Sequence, residues 1–291
     1  MLFFYAVLSG ILFGLFFAFL STGLNLLFGV LRLVNLAHGE IVMFGAYLAY
    51  SLTTSAGLSP LLAVPATVLP ALAFGVALYY GAIPRLGRAA DPETASLILF
   101  FGVSQVLQAV AAFVYSNSQL SLSPTTFGSP VSLLGERLPA PWVVCGLLSI
   151  PALGLMFFYL YRSRLGLATR ALMTSEEEAL IAGINTQRVA AAAFGIGVAF
   201  AAASGALTLF MLGGVNPSTG IFLTLTAFTV VVIGSLGNPL GSVVGGLLYG
   251  LAFTLASTYT PAWAGMVPYV LMLAVLLVKP TGLLGRSLRS A

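Results

Sequence analysis

Residues 189–278 contain no aspartate, glutamate, lysine or arginine. A membrane-spanning helix needs about 20 predominantly apolar residues, so this one run has room for several. Inside a bilayer every backbone N–H and C=O must be bonded within the protein, which leaves only helices and closed barrels. A barrel strand alternates apolar and polar residues over about ten positions. Here the apolar runs are continuous, as in Leu97-Ile-Leu-Phe-Phe101. Charged residues make up 6% of the whole chain, against about 25% in a soluble domain. The expected fold class is therefore an all-α membrane protein, a polytopic helical bundle. Its 32 glycines and 15 prolines fit transmembrane helices, which carry both more often than soluble ones.

Turn signals divide the apolar runs. They are Gly57-Leu-Ser-Pro60, the charged stretch from Pro84 through Arg88 to Glu93, the Ser/Pro/Thr-rich segment 116–141, the basic segment 161–188, Asn216–Gly220, Gly237–Gly241 and Pro261–Gly265. The spans expected between them are 2–30, 38–56, 60–83, 94–115, 141–161, 189–212, 220–236, 241–260 and 264–279. That makes nine transmembrane helices, or eight if one short segment is re-entrant. The whole of 1–291 reads as one transmembrane domain. Its first part covers about 2–115, a linking helix and loop about 141–188, and a second part about 189–279.

Nine spans with a cytoplasmic C-terminus place Arg32, Arg85, Arg88, Arg162, Arg164, Arg170, Arg188, Lys279, Arg286 and Arg289 inside, and only Arg137 outside. This is the positive-inside pattern. It explains the net charge of +4 by membrane orientation and leaves no call for nucleic acid. The N-terminal Met1-Leu-Phe-Phe-Tyr-Ala has no basic region before its apolar run and reads as the first span, not a signal peptide. The lone Cys145 excludes an intrachain disulfide and a cysteine metal cluster.

Polar chemistry interrupts the lipid-like composition at one place. Asn35-Leu-Ala-His38-Gly39-Glu40 contains the only histidine of the chain and one of its seven acids, with Asn25 and Arg32 close before it. An ionisable residue at mid-bilayer costs about 2.5–3.5 kcal/mol on insertion scales. One reading is a pathway or gate, with Gly39 permitting irregular backbone beside a cavity. The other is a pair near the cytoplasmic interface that bonds a helix terminus. Val34-Asn35-x3-Gly39-x6-Ala46-Tyr47 is also matched by Val215-Asn216-x3-Gly220-x6-Ala227-Phe228, 181 residues later. The copies would cross the membrane in opposite directions, the pattern of an inverted repeat around a substrate path; chance similarity of glycine-rich segments is the alternative. No metal motif of the H-E-x-x-H type and no G-x-x-x-x-G-K-[ST] loop is present, so the chain has no nucleotide site of that kind. The Gly10/Gly14, Gly241/Gly245 and Gly246/Gly250 pairs read as helix-packing surfaces.

In the basic segment, Ser175 followed by Glu178 makes a capping-box pattern. Acids in the first turn suit the helix dipole, and Gly183 ends the turn. A short amphipathic helix is expected there, with Ala179–Ala182 continuing an apolar face. It would lie on the headgroups or dock a cytoplasmic partner.

Gly23–Glu40 followed by Met43-Phe-Gly-Ala-Tyr47 resembles the signature of LivH-type permeases, the membrane subunits of branched-chain and hydrophobic amino-acid ABC importers. Thr174–Arg188 is similar to that family's cytoplasmic loop. Ala227–Gly234 with Gly237–Gly241 and Gly245-Gly246 resembles its C-terminal signature. The resemblance covers nearly the whole chain, in family order. It implies a transport subunit with no catalytic residue, metal or cofactor of its own, located in the bacterial or archaeal cytoplasmic membrane. ATP and Mg would be bound by two cytoplasmic ATPase subunits. The other partners would be a second, homologous permease and an extracytoplasmic solute-binding protein. Arg170, Glu176, Glu177, Glu178, Ala179 and Gly183 would contact the ATPase. Glu178 stands where the general coupling pattern has alanine, and Arg188-Val-Ala-Ala replaces the usual ending. Asn25, Asn35, His38 and Glu40, with Asn216 as partner of Asn35, are expected at the pathway or gate. Urea and short-amide permeases share the Asn35–Glu40 stretch, so they and an ATP-independent solute channel remain alternative readings.

Overall fold

The computed structural model describes residues 2–87 and 89–285, without the side chains of Pro124 and Thr125; Arg88, Arg286 and Arg289 lie outside the described residues. Helices dominate it. They are α1 (Leu2–Leu31), α2 (His38–Thr54), α3 (Pro60–Leu86), α4 (Pro92–Tyr115), α5 (Ala140–Arg162), α6 (Arg164–Thr174), α7 (Glu176–Ile181), α8 (Thr186–Met211), α9 (Thr219–Gly234), α10 (Pro239–Tyr259) and α11 (Val267–Val278). Six of them, α1, α3, α4, α5, α8 and α10, are long and apolar enough to cross a membrane. The apolar helices α9 and α11 are shorter, at 16 and 12 residues, and α2, at 17 residues, carries His38 and Glu40 in its first turn.

Helix starts follow local chemistry. Pro60, Pro92 and Pro239 stand at first helical positions, where a missing N–H costs no bond. Asp91 caps α4 by accepting from the amides of Glu93 and Thr94 at 3.1 and 3.2 Å. Bonding to Thr94, side chain first, holds the exposed Asp91 carboxyl below its ordinary pKa.

α8 is the central helix, with 89% of its apolar window buried, whereas α3 and α4 bury 17% and form the periphery. Glycines set the closest crossings, as expected for packing that depends on small residues. A side chain on Gly250 would run into the backbone of Gly14, and one on Gly246 into Ala18, so the Gly10/Gly14 and Gly246/Gly250 pairs join α1 to α10. Gly23 and Gly197 meet where α1 crosses α8. The Gly23–Gly197 and Phe19–Phe200 contacts make these two helices antiparallel.

Helices α1–α3 and α8–α10 follow the same long–short–long order. α2 begins at His38 and α9 at Thr219, again 181 residues apart. α1 packs chiefly on α10 and α8 chiefly on α3. Gly14 and Gly195, equivalent at this offset, stand at those two crossings against Leu247 and Leu72.

Three expectations change. The basic segment after α5 is itself a helix, α6, whose start is capped by Ser163 accepting from the Gly166 amide at 2.8 Å. Segment 116–141 is not merely a polar connection, because Val131–Leu133 (β1) and Glu136–Leu138 (β2) form an antiparallel hairpin. Its tip is Leu134-Gly135, both at positive φ. Gly39 introduces no irregular backbone: it lies within regular α2, and the positive φ of this region is at Arg32.

Candidate functional site: a junction of two helix starts

After α1 ends, the chain turns at Arg32 and runs back alongside it, so that α2 starts midway along α1. The marker is His38, whose Nε2 donates to the carbonyl of Leu20 at 2.9 Å. Leu20 lies eleven residues before the end of α1, about 16 Å at 1.5 Å per residue. His38 is therefore deep in the bundle and bonded to a mid-helix carbonyl. With Nε2 donating, the neutral ring presents Nδ1 as an acceptor, and that buried nitrogen has no partner.

A similar turn precedes α9. Asn35 Oδ1 accepts from the Ala37 amide at 3.0 Å, and Asn216 Oδ1 accepts from the Ser218 amide at 3.0 Å. Both asparagines also accept through the main chain, from the amides of His38 and Thr219. These are two copies of one Asx turn, each leading into a short helix. The second turn is tied more tightly, because Thr219 Oγ1 bonds Asn216 Oδ1 at 3.0 Å.

The two starts pack on each other. A Cβ on Gly39 would overlap the Gly220 carbonyl and the Thr224 amide, and one on Gly220 would lie 2.9 Å from the Glu40 carboxyl carbon. Thr224 joins the parts: its Oγ1 accepts from the Gly39 amide at 2.8 Å and lies 3.3 Å from the Leu36 carbonyl and 3.5 Å from Glu40 Oε2. Ser104 of α4 lies beside the same carboxyl. Asn35, His38 and Glu40 are all essentially inaccessible, and Asn35 Nδ2 and Glu40 Oε1 have no bonding partner. Sequence reasoning missed Thr224 and Ser104. The available signal for Thr224 was its place one turn beyond Gly220 in the matched segment.

Asn25 is elsewhere. Its amide nitrogen faces the carbonyls of Ser235 (3.3 Å) and Asn238 (2.7 Å) and Ser242 Oγ (2.8 Å), and its Oδ1 accepts from the Gly237 amide at 2.6 Å. Every polar position of this side chain is spent holding α1 to the α9–α10 turn. Asn216 is half-buried at the edge of a cleft against α4, where Gln108 Nε2 donates to the Pro217 carbonyl at 3.2 Å.

At the other candidate region, Ser175 Oγ accepts from the Glu178 amide at 3.2 Å and starts α7. Gly183, at φ +77°, closes it, with Ile184 N donating to the Ala179 carbonyl at 3.0 Å. Glu176, Glu177 and Glu178 are exposed and Ala179 is buried. The expected apolar face is not buried as a unit, because Leu180 and Ile181 point outward, Ile181 at 88% exposure. Arg170 is engaged within the chain: Nε donates to the Leu160 carbonyl at 2.9 Å, and the guanidinium stacks 4.6 Å over the Tyr161 ring. Among the described residues no group of three His, Cys, Asp or Glu side chains converges on a metal position.

A multi-pass helical bundle in which two short helices start against one another in the interior is an architecture suited to a membrane transport protein. The family described as "Branched-chain amino acid transport system / permease component" matches residues 6–276, and the chain belongs to it. The chain is 31% identical to the high-affinity branched-chain amino acid transport system permease protein LivH of Escherichia coli K12, over 96% of this chain and 94% of that protein. It is 29% identical to the permease protein BraD of Pseudomonas aeruginosa, over 96% and 95%. It is 26% identical to a probable branched-chain amino acid permease LivH of Methanocaldococcus jannaschii, over 91% and 87%. No solved structure matches the chain.

Proposed function

We propose that this chain is the membrane-spanning permease of an ABC importer that moves branched-chain or other hydrophobic amino acids across the cytoplasmic membrane. The carrying observation is the family match over nearly the full length. In this reading separate ATPases drive alternating access, a second homologous permease completes the membrane unit, and an extracytoplasmic binding protein delivers the solute. Helices α1–α5 and α8–α11 all belong to the membrane, with the C-terminus, α6 and α7 on the cytoplasmic side. The two sets α1–α4 and α8–α11 form an inverted repeat within one domain. The matched Asx turns and the antiparallel α1–α8 crossing support that assignment.

Asn35, His38, Glu40 and Asn216 act at the junction as the gate hinge between the two short helices. Asn25 supports it by fixing α1 to the α9–α10 turn. Glu176–Glu178 and the outward Leu180-Ile181 pair, shaped by Ser175, Ala179 and Gly183, form the ATPase contact. Arg170 holds the corner on which that contact stands. The test deletes Glu176–Gly183. ATPase association and leucine uptake should both be lost while the permease still inserts and stays folded; retained coupling overturns the assignment. Urea uptake without leucine uptake by the wild-type complex would overturn the substrate class.

A further inference from the structure

The face of α4 that the rest of the chain leaves open carries amide groups at a depth where lipid cannot solvate them. Gln105 lies ten residues before the end of α4 at Tyr115, about 15 Å along a helix of 1.5 Å rise. That is too far for a glutamine side chain to reach an interface. Gln105 is exposed, with apolar Phe101 (57%) and Val106 (63%) beside it. Gln105, Gln108, Asn117, Asn216 and Ser218 line one open cleft of ≈ 390 Å³ between α4 and the start of α9. Polar groups at this depth are tolerated only against protein or a water-filled cavity.

We infer that this cleft is a water-filled vestibule that receives the polar head group of the transported solute, a deduction that rests on the permease reading above. The lining chemistry points to the class of head group. Glutamine and asparagine amides offer N–H donors and a C=O acceptor without net charge; with Gln108 Nε2 and Asn216 Oδ1 already bonded within the chain, Gln105 and Asn117 are the principal contributors. Such a lining serves an ammonium and a carboxylate equally, and so suits a zwitterionic α-amino acid over a cation or an anion. The start of α9 adds its own N–H groups, since Ser218 makes no side-chain cap there. Behind it, Glu40 presses against Gly220 with Oε1 unpartnered and fully buried. The vestibule thus ends at the junction of the two short helices.

The experiment uses the full transport complex in proteoliposomes, with single cysteines at Gln105, Gln108 or Ser218 and, as control, at Val106. The native Cys145 is buried and serves as background. A charged, membrane-impermeant methanethiosulfonate should modify the three cleft cysteines and leave Val106→Cys unmodified. Leucine at about ten times its affinity constant should slow that modification about tenfold by mass action. A variant that fails to assemble is replaced by Ala109→Cys on the same face. Cleft cysteines as inert as Val106→Cys would overturn the vestibule. Modification that leucine does not slow, in vesicles that transport leucine, would overturn the head-group role. Absence of leucine uptake by the wild-type complex would instead refute the substrate class proposed above, and the same labelling with urea as protectant then tests the vestibule.

Discussion

Replacing Gly39 by alanine tests whether the contact between the two helix starts determines stability. The added methyl would overlap the Gly220 carbonyl and the Thr224 amide and come within 2.6 Å of Thr224 Oγ1. Ordinary carbon contacts fall at about 3.5–4.0 Å, so α2 and α9 must separate by about an ångström. Two of the obstacles are backbone atoms and cannot rotate aside. Overpacking of this kind costs about 1–3 kcal/mol. Separation also weakens the 2.8 Å bond from the Gly39 amide to Thr224, worth about 0.5–1.5 kcal/mol net. Against this, alanine in a helix is favoured over glycine by about 0.5–1 kcal/mol. The balance is a loss of about 2–3 kcal/mol. Gly102→Ala is the control, because nothing stands within 4 Å of its Cβ; it should be neutral or slightly stabilising. Unfolding of the purified permease in mixed micelles, followed as helicity against denaturing detergent, gives both values. If Gly39→Ala falls within about 0.5 kcal/mol of Gly102→Ala, the close approach of α2 and α9 is not what the structure describes.

Other substitutions separate the roles of the remaining polar residues. Asn25→Leu leaves the Gly237 amide and the Ser242 hydroxyl without their partner, and should lower stability by about 2–4 kcal/mol, read by the same unfolding assay. His38→Ala should reduce uptake without preventing assembly, whereas His38→Gln, which keeps a donor for the Leu20 carbonyl, should recover much of it; wild-type uptake by the alanine variant would show that the bond does not matter for transport. Gly183→Val forces a branched side chain to φ +77° and should weaken ATPase association in a pull-down while leaving the membrane helices' thermal transition in place.

Much of this architecture was legible in the sequence because membrane helices announce themselves locally. Apolar run length and turn residues located the helices α1–α5 and α8–α11 to within a few residues. The Asn–x3–Gly match located both short helix starts, because an Asx turn is written in one residue and its neighbours. Two kinds of feature stayed hidden. α6 carries two arginines in its eleven residues, too short and too polar to read as a span, and is helical because Ser163 caps it and α5 and α8 support it. Long-range partners were hidden for a different reason. Asn25 reads as a costly polar residue until Ser235, Asn238 and Ser242, more than 200 residues away, are brought to it. Thr224 is one threonine among several in α9, and only the packing of Gly39 against Gly220 singles it out.

The same packing accounts for the inequality of the two arms. Each short helix presents the positive end of its dipole at its start, and here the two starts converge. Glu40 lies in the first turn of α2 and presses against Gly220 in the first turn of α9. One carboxyl therefore faces both positive ends. A second, at the equivalent position Ile221, would add another acid beside a junction already served by the first. A single acid in the N-terminal arm is what a near-symmetric meeting of two helix starts requires, with no need for a symmetric ion site. The argument predicts an order among variants. Glu40→Gln keeps one oxygen acceptor beside Thr224 but removes the charge, and should unfold between wild type and the leucine variant. Glu40→Leu, of similar volume but with neither charge nor acceptor, should lose up to about 2 kcal/mol, the upper range for a charge–dipole contact. A leucine variant as stable as the glutamine variant would mean that Glu40 does not hold the two starts together.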